Sequence, residues 1–137
     1  VVTSVGMLGI AGLYVTGIKA GRSALLRTQA VNLASDMADR IRANRRAVMA
    51  YDMDAYGGAP AEQGCVGDAC TPDELAEDDL ARWVASIEAT LPGRPLATAD
   101  VQVTDEAAPA ADRYAVTVTW HEAGEVTEST YTLMVEL

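Results

Sequence analysis

The sequence predicts an α+β fold in which a long N-terminal helix covers a small antiparallel sheet of about three strands. Three observations carry this. Leu26, Ala30, Leu33, Met37, Ile41 and Val48 recur at helical spacing within a stretch running from Val1 to about Ala50. Thr71-Pro72-Asp73-Glu74 has the residue order of a second helix start. From Pro95 onward the apolar residues alternate with a period of two in three short segments.

The first helix divides into two halves. Residues 1–18 carry no charge, and Val5, Leu8, Ile10, Leu13, Val15 and Ile18 give that half an apolar surface suited to a membrane or to other subunits. A spanning helix needs about 20 apolar residues, so this run is marginal. Gly6, Gly9, Gly12 and Gly17 interrupt it. They suit either close packing between helices or a segment able to loosen, because glycine lowers helix propensity by about 1 kcal/mol relative to alanine. The chain begins abruptly inside the run, and the expectation is that an upstream part is missing. From residue 21 to about 50 the helix is amphipathic. Leu26, Leu33, Met37, Ile41 and Val48 are the expected helix side of a shared core, with Trp83, Trp120, Leu133 and Val135 on the head side.

Charge separates the same two parts. Residues 1–50 hold seven basic and two acidic side chains, and residues 51–137 hold three basic and eighteen acidic ones. The head thus carries about −15 of the net −10, against about +5 on the helix. An acidic head argues against binding a phosphate backbone and disfavours anionic lipid. Arg40, Arg42, Arg45 and Arg46 lack interleaved aromatics and read as a solvated face paired with head carboxylates. The 87 residues after the helix can fold only around a small core, and the amphipathic half of the helix is the available support.

Tyr51 to Pro60 is turn-rich and ends the helix near Tyr51 to Met53. Asp52-x-Asp54 with Gly57 falls short of a calcium loop, since Tyr56 and Gln63 occupy ligand positions. Cys65 and Cys70 are spaced too widely for a redox CxxC, and the single His121 cannot complete a zinc set. A small disulfide loop is the better reading over two free thiols, and it places the head in an oxidising compartment such as the periplasm. Lys19, Arg22 and Arg27 alone would put that end of the apolar run in the cytoplasm. A basic leader upstream would reconcile the two, and the disulfide is the stronger evidence.

The second helix runs from Thr71 to about Leu91, with Ala76, Leu80, Trp83, Ile87 and Leu91 on one stripe. Glu77, Asp78, Arg82 and Glu88 form its expected solvated face. Strands follow near Ala99–Thr104, Tyr114–His121 and Thr130–Leu137, the last two joined by a hairpin turn at Glu122–Glu125. Asp105 to Asp112 reads as a loop. His121 falls on the polar face of its strand with no nucleophile motif nearby. The pairs Asp78-Asp79 and Asp105-Glu106 read as solvated carboxylates, and no glycine-rich phosphate loop follows a strand. No catalytic, cofactor or metal residue is expected, and the protein reads as non-enzymatic.

Three segments then carry a resemblance. Ser4-Val-Gly-Met-Leu-Gly-Ile-Ala-Gly-Leu13, Arg27-Thr-Gln-Ala30 and Ala34-Ser-Asp-Met-Ala-Asp-Arg-Ile-Arg-Ala-Asn-Arg45 resemble the N-terminal helix of type IV pilus minor pilins of the PilV kind. The stretch from Asp36 to Asn44 is the most specific part. The resemblance implies a pilin-like fold, with residues 51–137 as a periplasmic head and the second helix in the region between long helix and sheet. It implies residues 1–20 in the inner membrane before assembly and in the filament core afterwards. It also implies partners: other minor pilins, the major pilin and a large tip adhesin. The implied role is priming pilus assembly and forming part of the tip. Members of that family are processed at a short basic leader and carry a glutamate near the mature start; this sequence has neither. A minor pseudopilin of type II secretion shares the plan. A filament-displayed ligand or DNA module would have only Arg82, Arg94 and Arg113 on its head, and a periplasmic hydrolase would need a catalytic set around His121.

Overall fold

The computed structural model describes residues 2–67, 69–93, 97–104 and 113–137, with side chains at all of these except 2–5, 8 and 48. The chain runs α1 (Val2–Ala43), two short 3-10 turns (Val48–Tyr51 and Met53–Tyr56), α2 (Pro72–Thr90), β1 (Thr98–Val103), β2 (Arg113–Trp120) and β3 (Ser129–Glu136). The strands form one antiparallel sheet in the order β1-β2-β3. The α+β plan of a long helix, a second helix and a three-stranded meander is therefore the fold of this protein. The expected loop at residues 105–112, Arg94, Pro95 and the Asp105-Glu106 pair lie outside the described residues.

Register places one face of the sheet inward. Val116 pairs with Val101 on one side and Leu133 on the other, and Tyr114 pairs with Val103 and Val135. Val101, Tyr114, Val116, Val118 and Val135 are fully buried, with Trp120 nearly so. The opposite face is rich in threonine, and hydroxyl pairs link Thr117 to Thr132 and Thr119 to Thr130 across β2 and β3. Such cross-strand pairs stabilise a solvated sheet face.

Helix α1 closes the inner face with Leu26, Ala30, Ala34, Met37, Ala38 and Ile41, all buried. Leu33 and Leu133 are half-buried and pack against this core, and the Val48 side chain lies outside the described residues. Ala34 and Ala38 are small, which lets the helix backbone approach closely. On the other side, α2 contributes Ala76, Leu80, Trp83 and Ile87. Its start is a full capping box, in which Thr71 accepts from the Glu74 N–H and the Glu74 carboxylate accepts from the Thr71 N–H.

The long helix ends seven residues before the expected Ala50. Asn44, Arg45 and Arg46 form a turn, with the Ala47 N–H donating to the Asn44 carbonyl at 3.1 Å. Two contacts hold the break in place. Asn44 Nδ2 donates to the Pro72 carbonyl at 2.7 Å, and Tyr51 Oη lies 3.3 Å from the Arg40 carbonyl. The turn drops Tyr51 into the core, where it is fully buried. An unbroken helix would have carried that ring elsewhere.

Candidate functional site

Among the described residues, half of the exposed large apolar side chains lie on the part of α1 that the head does not cover. Met7, Ile10, Leu13, Tyr14, Val15 and Ile18 are exposed, with Ile10 at 70% and Leu13 at 76%. The side chains of Val5 and Leu8 lie outside the described residues. A contiguous apolar surface of this kind marks an interaction site. A Cβ placed on Gly6, Gly9, Gly12 or Gly17 would meet nothing within 4 Å, so no packing among the described residues calls for glycine there. Among the described residues, no helix is long and apolar enough to cross a membrane.

At the point where this stalk enters the head, the β2–β3 hairpin folds against it. Glu122 Oε1 accepts from Ser23 Oγ at 3.1 Å, Trp120 Nε1 at 3.2 Å and Ser129 Oγ at 3.5 Å. One carboxylate thereby ties helix, strand and hairpin together. Gly124, at φ +92°, turns the hairpin in the left-handed region that favours glycine. His121 lies just past the end of β2 and its N–H donates to the Pro92 carbonyl at 3.0 Å. It holds a chain crossing in place and has no described partner of a catalytic kind.

A second constellation surrounds the segment between the 3-10 turns and α2. Cys65 and Cys70 form a disulfide with Cα atoms 5.6 Å apart. The expected solvated position of Asp78 is corrected here: the residue is 3% exposed. Its Oδ1 accepts from the N–H groups of Gln63 at 2.8 Å and Gly64 at 3.0 Å, and Arg82 Nε lies 2.8 Å from its Oδ2. Burial opposes ionisation, yet those two amides and the Arg82 guanidinium outweigh it and hold the carboxyl below the usual range. Glu77 adds two more contacts to the same loop, accepting from Ala61 N–H and Gln63 Nε2. Helix α2 thus presents carboxylates to a loop that has little apolar content of its own. The disulfide ring is short, so replacing both cysteines by serine should cost about 2 kcal/mol in a urea unfolding curve.

The C-terminal end of the buried part of α1 carries a polar staple. Arg40 bridges Asp36 on its own helix and Asp79 on α2, each at 2.9 Å, while Tyr51 Oη donates to the other Asp79 oxygen at 2.9 Å. Burial lowers the Arg40 pKa and the two carboxylates more than offset it, so the guanidinium stays firmly charged. Burial and the neighbouring Asp79 both push the Tyr51 phenol upward. Arg42 pairs locally with Asp39 at 3.2 Å. On the head, Arg82 and Arg113 are engaged by Asp78 and Glu136. Among the described residues, no group of three or more His, Cys, Asp and Glu side chains could hold a metal ion.

The arrangement offers an exposed apolar helix face and a head packed on the rest of that helix. Comparison with curated proteins returns no match, and comparison with solved structures returns none either. The sequence profile of the Tt1218-like family, described as type IV pilin Tt1218, matches residues 12–81. That range covers the exit of the stalk, the buried half of α1, the disulfide loop and the first half of α2. The chain belongs to the Tt1218-like type IV pilins, a structural, non-enzymatic family of pilus components.

Proposed function

We propose that this pilin is a minor subunit of the PilV kind, which helps prime pilus assembly and joins a tip complex that presents an adhesin. The observation that carries the reading is the uncovered apolar half of α1, from Met7 to Ile18. The glycines among these residues have room for a neighbouring helix to approach closely. In this reading residues 1–20 lie in the inner membrane before assembly and in the filament core afterwards. The rest of α1 supports a periplasmic head, and the disulfide suits that oxidising side. The minor, priming role rests on the resemblance of the stretch from Asp36 to Asn44.

Ile10→Glu tests it. A carboxylate in an apolar surrounding costs about 2.5–3.5 kcal/mol, so the variant should be absent from filaments and from any complex with other minor pilins. Ile10 touches no head residue of the core, so circular dichroism of the head should be unchanged. Normal piliation with this variant would overturn the reading. A type II secretion pseudopilin would use the same stalk, and co-purification separates the two by whether pilus or secretion subunits are recovered. A DNA-binding head finds little support, because Arg82 and Arg113 are already paired with carboxylates.

A further inference from the structure

The seam between stalk and hairpin carries charges of both signs on two facing walls. A groove of about 520 Å³ runs there, with Lys19 and Arg22 on the helix wall and Glu122 and Glu125 on the hairpin wall. Opposite charges within reach of each other would pair directly. Among the described residues no ion pair joins these two walls; the pairs that form lie elsewhere, at Arg40, Arg42, Arg82 and Arg113. Glu122 is instead anchored to its own side by neutral donors from Ser23, Trp120 and Ser129, which keeps its carboxylate from swinging across. The two signs stand on separate walls of the groove without pairing with each other.

Its position along the chain is equally specific. The exposed apolar run ends at Ile18, and Lys19 is the next residue. A stalk buried to Ile18 puts Lys19 and Arg22 at the level of lipid phosphates. The hairpin lies at that level too, and its tip carries Val126, which is 97% exposed. A bare apolar side chain on a loop tip beside such a stalk suits the membrane interface.

We propose that this groove seats the headgroup of a zwitterionic phospholipid bearing a primary ammonium, of the phosphatidylethanolamine class. Its phosphate faces Lys19 and Arg22, and its ammonium donates to Glu122 and Glu125. An anionic headgroup would satisfy only the helix wall and leave two carboxylates facing it. A choline headgroup has the right charges but no N–H to give the carboxylates. The inference rests on the reading that the stalk sits in a membrane before assembly.

The experiment uses the full chain with vesicles of phosphatidylcholine alone, or phosphatidylcholine mixed with either phosphatidylethanolamine or phosphatidylglycerol, and reads bound protein by co-sedimentation. Phosphatidylethanolamine should raise binding about fivefold over phosphatidylcholine alone, the upper range for exposed charge pairs. The double variant Glu122→Gln and Glu125→Gln should remove that gain, and the amide at 122 keeps an acceptor oxygen for its three donors. Lys19→Gln with Arg22→Gln should remove it as well. A larger gain from phosphatidylglycerol, or a gain that survives the glutamine variants, overturns the proposal. So does free phosphoethanolamine binding the micelle-held chain as tightly as the lipid, which would assign the groove to a soluble phosphate ester. Binding to all three vesicles alike sinks the headgroup site and leaves the stalk reading standing. Failure to bind any vesicle sinks both.

Discussion

Trp83→Ala should leave the head unfolded or close to it at room temperature. Trp83 is fully buried on α2, among α1 and the sheet, and its Nε1 donates to the Leu33 carbonyl at 2.8 Å. The indole therefore ties the two helices together while filling the centre of the core. Deleting a buried aromatic to alanine costs about 3–5 kcal/mol, against a total of about 5–15 kcal/mol for a typical domain. A domain of this size sits toward the low end. Urea unfolding followed by far-ultraviolet circular dichroism should show a midpoint shifted strongly downward. Trp83→Phe keeps most of the volume and loses the hydrogen bond, so it should fall between the two. A wild-type midpoint for the alanine variant would mean that the helices do not depend on this ring.

Asp78→Ala should release the disulfide loop and destabilise the head by about 2–3 kcal/mol. Two backbone N–H groups, at Gln63 and Gly64, lose a charged acceptor, and Arg82 loses its partner. A hydrogen bond to a charged group contributes about 1.5–3 kcal/mol, and the partly exposed guanidinium of Arg82 limits its share. Limited proteolysis should cut between residues 58 and 71 before global unfolding. The pH dependence has a definite sign. The Asp78 carboxyl is held below its usual value in the folded protein, so its contribution is present above about pH 4 and is lost as pH falls through the folded pKa. Asp78→Asn should therefore differ most from wild type at neutral pH, and the gap between them should narrow in acid. A gap that stays constant down to low pH would show that charge plays no part.

The architecture is legible in the sequence because three local codes agree. The amphipathic spacing from Leu26 to Ile41, the Thr71–Glu74 cap and the alternation of Tyr114, Val116, Val118 and Trp120 each specify one element. The helix stripe reappears buried except for the half-buried Leu33, the cap forms as a full capping box, and the strand's four apolar residues are buried. The end of α1 is not legible, because Val48 continues the helical period by coincidence. What stops the helix is tertiary: the Asn44 side chain reaches Pro72, and Tyr51 reaches back to Arg40. Asn44 and Pro72 lie 28 residues apart, beyond any local window, and the Tyr51 contact is to a backbone carbonyl, which leaves no side-chain signal. Asp78 escapes for a related reason. Its neighbours Glu77, Asp79 and Arg82 make the local pattern polar, and only the fold shows that a loop without side-chain bulk closes over it. One signal was available, since Gln63-Gly64 beside a cysteine ring is a turn whose amides need an acceptor.

The polar staple at the end of α1 also bears on mechanics. In the filament proposed for this subunit load would run along its axis, and the stalk and the wall of the core are one continuous helix. Load entering at the stalk runs straight into the segment from Leu26 to Ile41, which is gripped along its length by sheet and α2. Drawing it out would require every layer of that grip to slide together, with the Arg40–Asp79–Tyr51 knot acting as the stop at the far end. Tension along α1 would therefore load the contacts of Leu26 to Ile41 in shear rather than one at a time.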